Sequence, residues 1–437
     1  MIIKFSVQNF RSIREKVCLD FRATADKTLS EYYIYEIPKP KIKVLKMAML
    51  YGANATGKTN ILLALGFLRY FVLKTEKEVD KETPIPVNTF ALDSDKPTKF
   101  EIQFCNNRIV YNYKLFLNRK AIEYESLSHY PKGKEATIFE RKLINSSYDY
   151  SYNWVGAELR KEQRDALEIA VQNQSILSKI SSIKYSGPIQ YAKDWFKKTL
   201  DPIVEPKTKL LSYMLDNYLD KDSQDCDYMS LYKELLRRAD FMIDGLDFKK
   251  EDIPLSKLPK LYKERLMQLS LLRGDDVKNE EPVEITTLMV RHKSGKNSYQ
   301  LDYNEESAGT KRYFEFIGLI CELVHRNRVV PIDELESSLH IELQLHFIAT
   351  FLRNAKKGQL IFTSHNTALL NEKDIIRRDA VWITDRNPDG STQLTPVSDF
   401  PVRKEHAIDR LYRKGLLGGV PKLGSTLLEG IDEENKK

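Results

Sequence analysis

The stretch Gly52-Ala-Asn-Ala-Thr-Gly57-Lys58-Thr59 restricts what this chain can fold into more than any other part of it. It matches the GxxxxGK[ST] phosphate loop, in which glycines let the backbone wrap an anion and exposed amides at a helix N-terminus point at it. The flanks agree. Val44–Tyr51 (VLKMAMLY) is an apolar run ending at a glycine, as a buried strand would be. Beyond the loop, Ile61, Leu65, Leu68 and Val72 fall on one stripe of a helix. Strand, loop and helix in this order predict a parallel α/β sheet with a nucleotide phosphate site at a strand end. Gly52, Asn54, Ala55, Thr56, Gly57 and Asn60 would form the cradle. Lys58 would reach the β- and γ-phosphates, and the Thr59 hydroxyl would ligate magnesium.

Three further segments carry chemistry. Val329-Val-Pro-Ile-Asp333-Glu334 is an apolar run delivering two carboxylates, with Asp333 suited to magnesium and Glu334 to polarising an attacking water. Pro331 removes a backbone donor from what the pattern makes a central strand. Glu306-Ser307-Ala-Gly309-Thr310-Lys311 precedes a helix with apolar residues at Phe314, Ile317, Cys321 and Val324. Ser307 reads as an N-cap, and a Ser-x-Gly turn at a helix start is also a second phosphate-binding device. Gln359–His365 (QLIFTSH) is another apolar strand, ending in a histidine able to hydrogen-bond a terminal phosphate and sense its loss. Loop, Ser-x-Gly turn and then carboxylate strand is not the order of a simple GTPase or kinase.

At 437 residues the chain exceeds one ordinary domain. Residues 1–186 are expected to hold the first half of the nucleotide domain, with an antiparallel β-lobe from about Lys99 to Lys142. Residues 187–281, dense in charge and helically spaced at Leu211, Met214, Leu215 and Tyr218, are expected to be a helical insertion bounded by a strand at Val283–Arg291. Residues 282–429 complete the nucleotide domain, and 430–437 form a disordered tail. No apolar run approaches 18 residues, so no membrane-spanning helix is expected. The opening lacks a signal-peptide block, which points to the cytoplasm. Cys18, Cys105, Cys226 and Cys321 form no CxxC pair, and His340 and His346 lie on different helix faces, so neither zinc nor a disulfide framework is expected. The net charge of +7 permits contact with nucleic acid without arguing for it.

Taken in order, GANATGKT, ESAGTKR, PIDELESSLH and FTSH resemble the ABC-type ATPases of the SMC, RecF and OLD group, and in detail the bacterial stand-alone AAA-family, OLD-like ATPases. The opening KFSVQNFRSI and the late GLLGGVP segment are similar to that group as well, and the resemblance is weakest over 187–281. It implies an α/β P-loop ATPase head using ATP and Mg2+. Lys58, Glu334 and His365 would be catalytic, with His365 as the switch histidine. Ser307 and Gly309 would be the signature motif, Glu336–Leu339 the D-loop and Gln174 the Q-loop residue. Arg11 is placed either near phosphate or nucleic acid or on an ordinary surface. The turn keeps only the serine and one glycine of the usual signature, which bears on hydrolysis rate more than on binding. The resemblance also implies a homodimer or higher oligomer sandwiching ATP, and a separately encoded effector, nuclease or toxin, in anti-phage defence. A RecF-like DNA-repair ATPase and a slowly hydrolysing, nucleotide-locked scaffold are the alternatives.

Overall fold

The computed structural model describes residues 1–75, 80–211, 228–239, 242–254, 257, 282–403 and 406–421. The expected tail at 430–437, Cys226 and the spaced residues Met214, Leu215 and Tyr218 lie outside them. The chain divides into two units, Met1–Thr208 with Leu319–Lys437, and Lys209–Gly318.

In the first unit a seven-stranded antiparallel sheet runs in the order β10-β9-β8-β7-β6-β1-β2. Its strands are β1 (Ile2–Gln8), β2 (Val17–Asp20), β6 (Thr98–Asn106), β7 (Ile109–Leu117), β8 (Ile122–His129), β9 (Ala136–Leu143) and β10 (Tyr150–Asn153). The expected β-lobe is therefore present and larger than its sequence pattern, because the first two strands join it. Strict alternation builds it. Phe100, Ile102 and Phe104 are wholly buried on one face of β6, where Phe104 stacks on Trp195 at 4.2 Å.

A second, five-stranded sheet carries the phosphate loop, in the order β14-β15-β5-β16-β17. Here β5 is Met47–Tyr51, β14 Val329–Ile332, β15 Gln359–Thr363, β16 Val381–Arg386 and β17 Thr392–Pro396. The first four are parallel and β17 is antiparallel. Every residue of β5, β14 and β15 is buried, as expected of strands covered on both faces. The apolar run Val44–Tyr51 is not one strand: it breaks at Lys46 between β4 (Lys41–Leu45), paired with β3 (Ile34–Pro38), and β5. Lys46 is buried there, donating from Nζ to the carbonyls of Leu352 and Ala355 at the end of the helix Ile341–Asn354. Gln359 ties the two sheets, donating to the carbonyls of Ile2 and Leu45 and accepting from the Ile2 amide at 2.7 Å.

Pro331 is not in a central strand. β14 ends the five-stranded sheet, and beyond it the irregular segment Thr199–Val204 is laid down, bridging at Leu200–Val329 and Val204–Ile332. That segment uses the Pro331 carbonyl, which accepts from the Val204 amide at 2.9 Å, and asks for no amide at that residue.

The second unit begins later than expected and is not simply helical. The helix Pro188–Lys198 belongs to the first unit, where Ile189, Ala192, Trp195 and Phe196 are buried. The second unit holds a three-stranded antiparallel sheet of β11 (Ile243–Pro254), β12 (Pro282–Ser294) and β13 (Asn297–Asp302), with Tyr232 of the helix Tyr228–Arg238 packed on Phe314. β11 reads as solvated sequence because its far half, Lys249–Asp252, is exposed on both faces and shows no apolar alternation.

Candidate functional site

Three strand ends of the second sheet meet at the phosphate loop. β5 enters it at Gly52, and the helix Lys58–Leu73 leaves it with Gly57 at its N-cap. Two close approaches explain the glycines. A Cβ at Gly52 would stand 2.2 Å from Thr384 Oγ1, and one at Gly57, whose φ is 100°, would stand 2.0 Å from Thr392 Oγ1. The loop is held from behind by hydroxyls. Thr384 Oγ1 donates to the Tyr51 carbonyl and meets Thr56 Oγ1 at 2.6 Å, while Thr392 Oγ1 donates to the Thr56 carbonyl at 2.9 Å. Ser12 Oγ meets Thr392 Oγ1 at 2.7 Å and takes the Asn60 amide, so Asn60 anchors the NFRSI turn behind the loop. Arg11 projects from that turn as an exposed residue, its guanidinium 5.9 Å from the Phe10 ring centre. Asn54 and Ala55 are exposed at the loop's crest.

Lys58 is buried and folds back on its own loop, donating from Nζ to the carbonyls of Gly52 at 2.8 Å and Ala53 at 3.0 Å. Burial pushes its pKa down to about 8, against the opposing charges of Asp333, Glu336 and Glu334. The Thr59 hydroxyl donates to both oxygens of the Asp333 carboxylate at 3.0 Å. Asp333 also accepts from Thr363 Oγ1 at 2.7 Å, and the same hydroxyl accepts the Glu334 amide at 2.8 Å. Glu334 has φ 51°, an uncommon conformation for a side-chain-bearing residue, which turns the chain sharply after Asp333 and leaves its own carboxylate exposed. His365, just past β15, gives its backbone amide to Glu336 Oε1 at 2.6 Å. Partial burial and then the charge of Lys58 hold its imidazole below the ordinary histidine pKa, against Glu336, Glu334 and Asp333.

Beside the loop and His365 lies a cleft of about 860 Å³, large enough for a nucleoside triphosphate, whose walls include Gly52, Thr56, His365, Arg386 and Arg413. Arg386 donates to the Ala55 carbonyl and Arg413 to Thr367 Oγ1. Thr384, Thr392, Arg386 and Arg413 have no sequence motif to announce them. The GLLGGVP segment also belongs here, since Val420 and Pro421 line the cleft and a Cβ at Gly419 would come within 3.2 Å of the Gly52 Cα. A threonine hydroxyl facing a carboxylate is an all-oxygen donor pair of the kind that suits magnesium, and Thr59 with Asp333 fits that ion. Among the described residues no group of three His, Cys, Asp or Glu side chains forms an all-protein metal cage.

Gln174 is not brought to the loop. It is buried beside Arg141, whose Nη1 donates to its carbonyl at 2.7 Å, and its neighbour Asn173 donates to the carbonyls of Asp80 and Thr83. Ser178, four residues on, donates to the carbonyl of Lys74, at the far end of the helix that starts at Lys58. Sixteen residues of helix put that end about 24 Å from the loop. Ser307, in the second unit, caps the helix Ala308–Val324 by accepting the Thr310 amide at 3.0 Å, and is exposed, with Gly309 in the first turn.

A family model described as "AAA domain, putative AbiEii toxin, Type IV TA system" matches residues 47–371. The chain belongs to that family. The match spans the phosphate loop, Ser307, Asp333 and His365 of this AAA-domain protein, and the sheet order, with β15 between the loop strand and the Asp333 strand, is the expected α/β P-loop architecture. No curated protein matches it in sequence. Solved structures similar to it include the SMC head domain from Thermotoga maritima, at 12% identity over 90% of this chain and 98% of that one, with a TM-score of 0.42. An SmcHead bound to the C-winged helix domain of ScpA is similar at 11% identity over 90% and 97%, with a TM-score of 0.44. A third, an Smc head with an extended coiled coil bound to the C-terminal domain of ScpA, derived from Pyrococcus furiosus, has 12% identity over 90% and 95% and a TM-score of 0.36. Among the described residues of this AAA-domain protein, no helix is long and apolar enough to cross a membrane.

Proposed function

We propose that the chain binds and hydrolyses ATP in the cleft over Gly52–Thr59, and that bound ATP joins copies of the chain into a switch controlling a separately encoded effector. The observation that carries this reading is the meeting of three strand ends at the loop, where Thr59 donates to Asp333, Lys58 feels the charges of Asp333 and Glu334, and His365 lines the adjoining cleft. Lys58 would exchange the two loop carbonyls for the β- and γ-phosphate oxygens, a stronger, charge-assisted contact. Thr59 and Asp333 would hold magnesium, which supplies neutralisation of the phosphate charge. Glu334 would polarise the attacking water and take its proton, and His365 would hydrogen-bond the terminal phosphate. Ser307 and Gly309 of a second copy would close over that phosphate, so hydrolysis removes part of the interface.

The family's description, which attaches a putative AbiEii toxin and a type IV toxin–antitoxin system to the AAA domain itself, supports a place for the chain in a toxin–antitoxin module. The test is sedimentation of a Glu334→Gln variant, which should trap the ATP state. Association that appears only with magnesium-ATP supports the switch, and equal sedimentation with and without it sinks it. Calorimetry on Lys58→Ala tests the site itself, since unchanged affinity would mean the loop does not hold the nucleotide. Tight, salt-sensitive DNA binding dependent on ATP would turn the reading toward repair.

A further inference from the structure

One carboxylate at the site is left over by this scheme. Glu336 lies three residues past Asp333, on the short turn that leads from β14 to the helix Ile341–Asn354. Its Oε1 accepts the backbone amide of His365 at 2.6 Å. Its Oε2 is buried and has no hydrogen-bond partner among the described residues. Around it stand Lys58, Tyr51 and the His365 imidazole, each of which feels its charge. On Lys58 that influence ranks after Asp333 and ahead of Glu334.

A buried carboxylate oxygen without a donor is costly, and such a group persists where the working complex supplies its partner. The bond to the His365 amide alone does not account for it, because a neutral amide side chain would accept that hydrogen bond equally well.

We infer that Glu336 is a positioning residue for ATP hydrolysis, clamping the strand end that carries His365 with one oxygen and ordering the water beside the terminal phosphate with the other. This rests on the proposed ATP site, and its consequence is specific to turnover. Oε1 fixes where His365 meets the phosphate, while Oε2 accepts one hydrogen of the water and aims its lone pair. Glu334 then takes the proton, so the clamp itself ends each cycle unprotonated.

The test compares Glu336→Gln, Glu336→Ala and the parent chain by steady-state ATPase kinetics and by calorimetric affinity for ATP with magnesium. Glu336→Gln keeps an acceptor for the His365 amide and replaces the acceptor facing the water by a donor. It is expected to lower kcat at least tenfold while leaving nucleotide affinity within about threefold, and Glu336→Ala to lower kcat at least as far. If Glu336→Gln turns over like the parent while Glu336→Ala does not, the side chain is only a structural tie and the inference is overturned. If both variants lose affinity in proportion to kcat, the effect is on binding and the inference is likewise overturned. A parent chain that neither binds nor hydrolyses ATP would refute the site reading as well, which separates that failure from the failure of the role given to Glu336.

Discussion

The Thr59 hydroxyl points at both carboxylate oxygens of Asp333, 3.0 Å from each, although 274 residues of sequence separate the two. With magnesium present the two would become neighbouring ligands rather than partners of one another. Thr59→Val removes the hydroxyl at constant shape and Asp333→Asn removes the charge. Each is expected to weaken ATP binding about 10- to 100-fold with magnesium, the equivalent of one charge-assisted hydrogen bond. In EDTA the variants should match the parent more closely. Calorimetric titrations with and without the metal check this, and an equal loss in both would show that the pair serves the fold alone.

Gly57 is boxed in by Thr392 and by its own backbone. An alanine there must adopt φ near 100° and also displace Thr392 Oγ1, which would lie 2.0 Å from the new Cβ. The conformational part alone costs about 1–3 kcal/mol. Gly57→Ala is expected to weaken nucleotide binding by more than tenfold. Adding Thr392→Ala should recover only part of that, because the Thr392 clash is relieved while Ser12 Oγ, 2.9 Å from the new Cβ, and the left-handed cost stay. Full recovery in the double variant would show that φ is not the constraint.

What the sequence made legible and what it hid follow one division. Lys58, Thr59, Asp333 and His365 were readable because each sits at a fixed offset from the end of an apolar strand, and parallel strands bring their carboxyl ends together. Thr384, Thr392 and Ser12 brace the loop by single hydroxyls from segments distant in sequence, and no local pattern marks such a contact. Gln174 was misplaced for the complementary reason: a glutamine between two apolar stretches looks the same whether its neighbours pack at the start or the end of the loop's helix. The charge-rich β11 was expected as helix because its exposed half carries no period of two. Pro331 looked anomalous only while β14 was taken to lie between two regular strands, whereas its outer neighbour is the irregular segment Thr199–Val204.

The late glycines make a further wall. Gly419 has φ 67°, its carbonyl accepts from the Tyr412 hydroxyl at 2.8 Å, and a Cβ there would stand 2.9 Å from the Thr384 carbonyl. Gly419→Val is therefore expected to push Val420 and Pro421 away from the cleft and weaken ATP binding about 3- to 30-fold. Parallel measurements of ATP affinity and of the thermal midpoint without nucleotide check it. Unchanged affinity would mean that the GLLGGVP segment is not a wall of the site.

Asp201 gives the first unit a pH dependence of definite sign. Its side chain is only 12% exposed, beside Arg328 at 3.5 Å, on the segment whose Val204 carbonyl accepts the Asp333 amide. Burial raises its pKa to about 7, with Glu322 adding to the rise and Arg328, Arg69 and Arg326 opposing it. In the unfolded chain the group titrates near the ordinary aspartate value of about 3.9. Between those two values the folded state holds the extra proton, so stability falls as pH rises from about 4 to about 7 and stays reduced above that. Asp201→Asn fixes the uncharged form, and Arg328 keeps Glu322, 3.3 Å from its Nε. The variant is expected to melt a few degrees above the parent at pH 8 and close to it at pH 4, the gap opening between about pH 4 and about pH 7. A variant less stable than the parent at pH 8 would mean that the ion pair with Arg328 outweighs the cost of burying the charge.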